Sequence, residues 1–165
     1  SIDAGLVLDG WQADSAFSVA VGEADEDTKR LIKVTEECFW LGASMAREGN
    51  RLGDVSHAIQ EHAEKYGYGV IRDLCGHGIG REMHEDPNIP NYGPAGRGVR
   101  LRAGMALAIE PMIAMGRWPV YVEDNGWEVI TRDHSLCSHY EHTLVVTTGE
   151  PEILTYPGAD VRRFV

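Results

Sequence analysis

The chain has 165 residues, 43% of them apolar, enough for one domain with a substantial core. Its 26 acidic residues outnumber 15 basic ones, and a formal net charge of -11 argues against a nucleic-acid backbone or an anionic membrane as the main partner. No apolar run reaches the ~18 residues that span a bilayer, no basic-then-apolar leader is seen, and three scattered cysteines fit a reducing cytoplasm better than a disulfide framework.

In chain order, residues 2–8 predict a strand, and Asp9-Gly10 predicts a hairpin turn. Residues 15–21 then form the returning strand. Asp25 or Asp27 would cap a long helix whose Leu31, Val34, Cys38, Leu41 and Met45 recur at helical spacing. A second helix is expected from about Gly53 to Lys65, with Val55, Ile59, Ala63 and Tyr66 inward. "YGVIRDL" reads as a strand, residues 86–104 as a long surface loop rich in proline and glycine, and everything after as strand and turn. The fold class is therefore α+β, with a curved, mainly antiparallel sheet and helices on one side. Residues 157–165 read as a polar tail. The chain opens directly in a strand pattern at Ser1, without methionine, which suggests a cut or processed start.

Four carboxylates interrupt strand patterns: Asp3 in "IDAGLVL", Asp14 in "GWQADSAF", Glu110 in "MALAIEPMI" and Glu141 in "HYEHTLVV". Aspartate is depleted in strands, and an inward carboxylate is costly unless it is paired or bound to metal. A hairpin turning near Asp9 would set Asp3 and Asp14 nearly opposite each other. Bare carboxylates there repel, and a divalent cation between them reverses the sign. His77 sits between Gly76 and Gly78, where glycine would let the backbone carry the ring close to such an ion. Four carboxylates and one imidazole suit Mn(II), Fe(II), Co(II) or Zn(II), and so much acid suits a pair of ions roughly 3.5–4 Å apart. His84, followed by Glu85-Asp86-Pro87, is placed to donate a hydrogen bond to a substrate carbonyl.

The segments "IDAG", "DG..ADS", "CGHGIGREMHEDP", "GMALAIEPM", "NGWEVITRD" and "HYEHTLVVT" resemble, in order and spacing, the type I methionine aminopeptidases of the creatinase/aminopeptidase ("pita-bread") superfamily. The resemblance runs through nearly the whole chain. It implies a dinuclear metal-dependent aminopeptidase that removes N-terminal methionine from nascent proteins, with two divalent ions and a water shared between them as nucleophile. It assigns Asp3, Asp14, His77, Glu110 and Glu141 as metal ligands, Glu110 also as general base, and His84 as the substrate-contacting histidine. Met83 and Trp127 fall where the family lines its methionine pocket, Met83 standing where phenylalanine is usual. It further implies that residues 1–156 are the C-terminal catalytic portion of the domain, that the N-terminal part is missing, and that this part would carry another histidine and much of the pocket. The partners so implied are nascent polypeptide N-termini, at the ribosome, met by a cytoplasmic monomer, or by one that a separate N-terminal segment completes.

Two other classes remain open on the sequence. A proline-directed relative (Xaa-Pro aminopeptidase or prolidase) would share the five ligands, although "EHTLVVT" and "IEPM" look like the methionine enzymes. A binding module that kept the fold would be expected to have lost ligands. A structural calcium site is disfavoured by His77, since calcium prefers an all-oxygen shell.

Overall fold

The structure is a computed structural model that describes residues 1–161. Its elements are β1 (Ile2–Leu8), β2 (Trp11–Phe17), α1 (Glu26–Ser44), α2 (Leu52–Lys65), β3 (Gly69–Val70), β4 (Gly76–Gly78), β5 (Glu85–Ile89), β6 (Ala106–Ile109), β7 (Met112–Ala114), β8 (Val120–Val122), β9 (Val129–Thr131), β10 (Cys137–His139), β11 (Glu141–Val145) and β12 (Glu152–Ile153). The main sheet runs β1-β2-β11-β6-β4-β5, with β12 also on β11, while β10-β7-β3 and β8-β9 form smaller sheets. Every pairing between these strands is antiparallel. The expected α+β class and the mainly antiparallel sheet with two helices are borne out.

The β1–β2 hairpin turns at Asp9-Gly10 with φ of 52° and 76°, the two left-handed residues that a tight hairpin turn demands. Its return begins at Trp11 rather than residue 15, so the register pairs Asp3 with Ala16 and Asp14 with Gly5. Asp3 and Asp14 are consequently diagonal neighbours, not directly opposed.

Helix α1 starts where an aspartate can serve its free amides: the Thr28 N–H donates to Asp25 Oδ1 at 2.7 Å. Its buried side carries Leu31, Val34, Cys38, Phe39 and Trp40, packed with Val55 and Ile59 of α2 and with Leu107, Ile109 and Leu144 of the sheet. Tyr66, expected inward, is 45% exposed, because α2 ends at Lys65 and the chain turns away at Gly67 with φ of 76°.

Two segments differ from expectation. The expected loop after residue 86 holds β5, which tolerates Pro87 because it is the last strand of the sheet and pairs on one side only. The expected tail enters the core: Val161 is 2% exposed and packs in the main cluster. Residues 162–165 of that tail lie outside the described residues. No helix among the described residues is long and apolar enough to cross a membrane.

Candidate metal centre

Strand register determines which side chains share a face, because successive residues alternate and paired residues point the same way. His142 and Leu144 of β11 and Leu107 and Ile109 of β6 point toward the helices: Leu107, Ile109 and Leu144 lie in the core cluster and His142 meets the Phe39 ring at 5.2 Å. Glu141 and Thr143 therefore point the other way. Glu141 pairs with Ala16, which shares its face with Asp14 on the same strand and pairs with Asp3. Thr143 pairs with Ala108, and Ala108 pairs with His77. Asp3, Asp14, His77 and Glu141 thus occupy one face of the main sheet, opposite the helices. Glu110 follows Ile109 and returns to that same face.

The side chains converge. Asp14, His77 and Glu141 offer ligand atoms within 4.8 Å of one another, and so do Glu110, His139 and Glu141. Glu141 belongs to both groups. His77 Nε2 lies 3.9 Å from Asp14 Oδ2 and 3.8 Å from Glu110 Oε1. Its other nitrogen, Nδ1, meets the Gly78 carbonyl oxygen at 2.9 Å, which directs Nε2 at the carboxylates and fixes the proton on Nδ1.

The electrostatics favour a cation. Glu141 is 1% exposed, and burial together with Glu110, Asp14 and Asp3 pushes its carboxyl up to about 9. Burial and then Asp3 likewise raise Asp14, against the lowering effect of the Ser15 N–H that donates to Oδ1. Among the buried polar atoms, Glu141 Oε1 and His139 Nε2 have no hydrogen-bond partner. A buried carboxylate oxygen and a buried imidazole nitrogen left this way are costly unless something positive binds them. The donor set of carboxylates and imidazole fits a divalent transition metal on those grounds.

Of the residues expected at the site, Asp14, His77, Glu110 and Glu141 come together. Asp3 is exposed and stands outside both groups, though near enough to raise Asp14 and Glu141. The His84 ring packs on His77 with centroids 4.3 Å apart. Met83 lies over β1: its Cε would be 2.5 Å from a Cβ built on Gly5, the residue paired with Asp14. Trp127 sits between β8 and β9, 77% exposed, and no hydrogen bond or ring contact joins its side chain to the acidic cluster.

Residues 1–148 match the profile of metallopeptidase family M24. The chain belongs to that family. A methionine aminopeptidase of Clostridium acetobutylicum is 54% identical over 155 residues, covering 94% of this chain and 62% of the relative. Methionine aminopeptidase 1 of Bacillus subtilis is 45% identical over the same shares of both chains. The crystal structure of a methionine aminopeptidase from Thermotoga maritima superposes with a TM-score of 0.91 at 53% identity, covering 93% of this chain and 61% of that one. This M24 chain thus spans about 62% of the length of the relatives it matches.

Two further features of the M24 site differ from the sequence reading. The glycines beside His77 serve strand packing more than access: a Cβ on Gly76 would collide with the Ala108 carbonyl oxygen, and one on Gly78 with that of Asp86. They let β5 and β6 close on β4 from both sides. His139, absent from the residues the sequence marks, is a member of the cluster. A signal is available in "HYEH", where a second histidine stands two residues before the expected ligand Glu141. Beyond His139 opens a cleft of about 450 Å³ lined by Ile71, Leu74, Met112, Val120 and Leu136. Burial and then Glu110 raise the thiol of Cys75, next to Gly76, which disfavours its thiolate.

Proposed function

We propose that the protein containing this chain is a dinuclear metal-dependent aminopeptidase that removes N-terminal methionine from nascent polypeptides in the cytoplasm. One observation carries the reading: buried Glu141 is shared between two three-residue groups, so its carboxylate could serve a cation in each. Asp3, Asp14, His77, Glu110 and Glu141 would hold the ions, which supply, when bound, an activated water and a Lewis acid beside the scissile carbonyl.

The chain's own residues do the rest. Glu110 has one oxygen facing His77 and the other facing His139, and it is placed to accept a proton as the carbonyl is attacked. His84 packs at a tilt against His77 at the rim, exposed, and donates to the substrate carbonyl. Met83 lies beside Asp14 across Gly5, so its thioether forms one apolar wall against the methionine side chain. The cleft beyond His139 receives the peptide that follows. Trp127 contributes to the methionine pocket only if the β8–β9 hairpin folds over the site. Residues 1–156 form part of the catalytic unit.

Methionine release from a Met-Ala-Ser peptide with added Mn(II), a chelator control and an Ala-Pro-Ala peptide alongside tests the reading. Chelator-sensitive release of methionine alone supports it. Cleavage of only the proline peptide transfers the site to a proline-directed enzyme. Inactivity of the protein containing this chain on both peptides would overturn the catalytic assignment.

A further inference from the structure

Resting on that two-metal reading, the geometry points to His139 as a sixth protein ligand, giving the centre a second nitrogen donor through Nε2. Adjacent ligands on a cation with bonds of about 2.1 Å lie about 3 Å apart and opposed ligands about 4 Å apart. His139 Nε2 stands 3.4 Å from Glu110 Oε2 and 4.0 Å from Glu141 Oε2, within that spacing. A hydrogen bond from an imidazole to a carboxylate would bring the atoms to about 2.7–3.2 Å. The nitrogen is buried and has no hydrogen-bond partner, and the Glu141 Oε1 of the same group is equally unpartnered. His77 Nε2 shows a similar spacing to its own two carboxylates, 3.9 and 3.8 Å. The two rings therefore flank Glu110, His77 at Oε1 and His139 at Oε2.

The backbone holds His139 for this role from two directions. Its N–H donates to Ser18 Oγ at 3.0 Å, and the Ser18 hydroxyl is 3.0 Å from its carbonyl oxygen, so the residue after β2 clasps the end of β10. On its other side β10 pairs His139 with Met112 of β7, two residues after Glu110. The ring is thereby fixed against both Glu110 and Glu141 without a side-chain tether of its own. An added imidazole moves the preference of the site toward Zn(II), Fe(II) and Co(II), which bind nitrogen well, and away from Mn(II), which prefers oxygen.

The test is direct observation of the ring. With the chain labelled in ¹⁵N-histidine and each imidazole assigned through its own backbone, Zn(II) is titrated in and the ring nitrogens are followed. Nε2 of both His77 and His139 should move to metal-bound positions. In parallel, His139→Gln, checked for fold by circular dichroism, should weaken Zn(II) binding at least tenfold by calorimetry and Mn(II) binding distinctly less. Movement of His77 Nε2 with His139 Nε2 left at its free-ring position would overturn the assignment while leaving the metal centre intact. Silence of both rings would overturn the metal centre as well.

Discussion

Asp14 and Thr143 are joined by two hydrogen bonds that run in opposite directions. The Asp14 N–H donates to Thr143 Oγ1 at 3.0 Å, and the Thr143 hydroxyl donates to the Asp14 carbonyl oxygen at 2.9 Å. The β2–β11 ladder pairs Glu141 with Ala16 and His142 with Ser15, and the threonine side chain takes over one step further on. A hydroxyl thus does the work of a peptide group and holds the Asp14 backbone against the strand that carries Glu141.

Thr143→Val keeps the shape but leaves a part-buried N–H and C=O unserved, costing about 1–3 kcal/mol of stability. Thr143→Ser should recover most of it. Urea unfolding reads the stability. Mn(II) calorimetry should show the valine variant binding more weakly, because Asp14 loses its register to Glu141. Equal metal affinity in both variants would mean that Asp14 is held by the hairpin alone.

Glu141 predicts an inverted pH dependence for the metal-free chain. Its folded pKa, about 9, lies above the ordinary 4.5, so between those values the folded state keeps a proton the unfolded state has lost. Stability from this group is full below pH 4.5 and falls as pH rises toward 9, by up to about 1.4 kcal/mol per pH unit. Glu141→Gln should be more stable than the parent at pH 8 without metal, and should bind metal poorly. Thermal melts at pH 6 and 8, with and without Mn(II), check both halves. A parent chain that melts at the same temperature at both values without metal would contradict the buried repulsion.

His142 works in the opposite sense. Burial lowers its imidazole from 6.5 to about 4, while its nitrogens meet Thr155 Oγ1 at 2.9 Å and the Tyr140 hydroxyl at 3.2 Å. The unfolded state binds the proton first as pH falls from 6.5 to 4, so stability is lost across that window, on the order of 3 kcal/mol. Glu141→Gln is the background in which to see it, since Glu141 contributes the opposite slope above pH 4.5. His142→Gln in that background should flatten the melting temperature between pH 6.5 and 4.

At Gly76, alanine should destabilise the chain severely, because the collision is with backbone oxygen rather than a flexible side chain. Alanine at Gly96, where nothing lies within 4 Å, carries only the strain of its φ of 71°. Soluble yield and circular dichroism of the two variants separate the mechanisms. Comparable losses at both positions would show that conformational freedom, not strand approach, is what Gly76 provides.

Much of this was legible because strands advertise their faces. The misplaced acids at 14, 110 and 141 stood out against apolar alternation, and the Asp9-Gly10 turn and the Asp25 cap carry local chemical signatures. What local chemistry does not carry was missed. The start of β2 depended on turn length, so the Asp3–Asp14 pairing came out diagonal. Pro87 argued for a loop, and only the position of β5 at the sheet's end lets it be a strand. His139 looked ordinary because a break at Tyr140 separates β10 from β11, and its approach to Glu110 is made through β7.

The neighbourhood of β2 and β11 also sets a clock. Asp14 and Thr143 are 129 positions apart, so during synthesis the first hairpin leaves the ribosome long before the strand that will complete its edge. The intervening helices can pack meanwhile from local contacts, but the acidic face cannot close until residue 145 is free. Metal capture would then come late, as a signature of a finished chain rather than a nucleus for folding it. A truncation that stops before β11 should yield helical protein with no high-affinity ion.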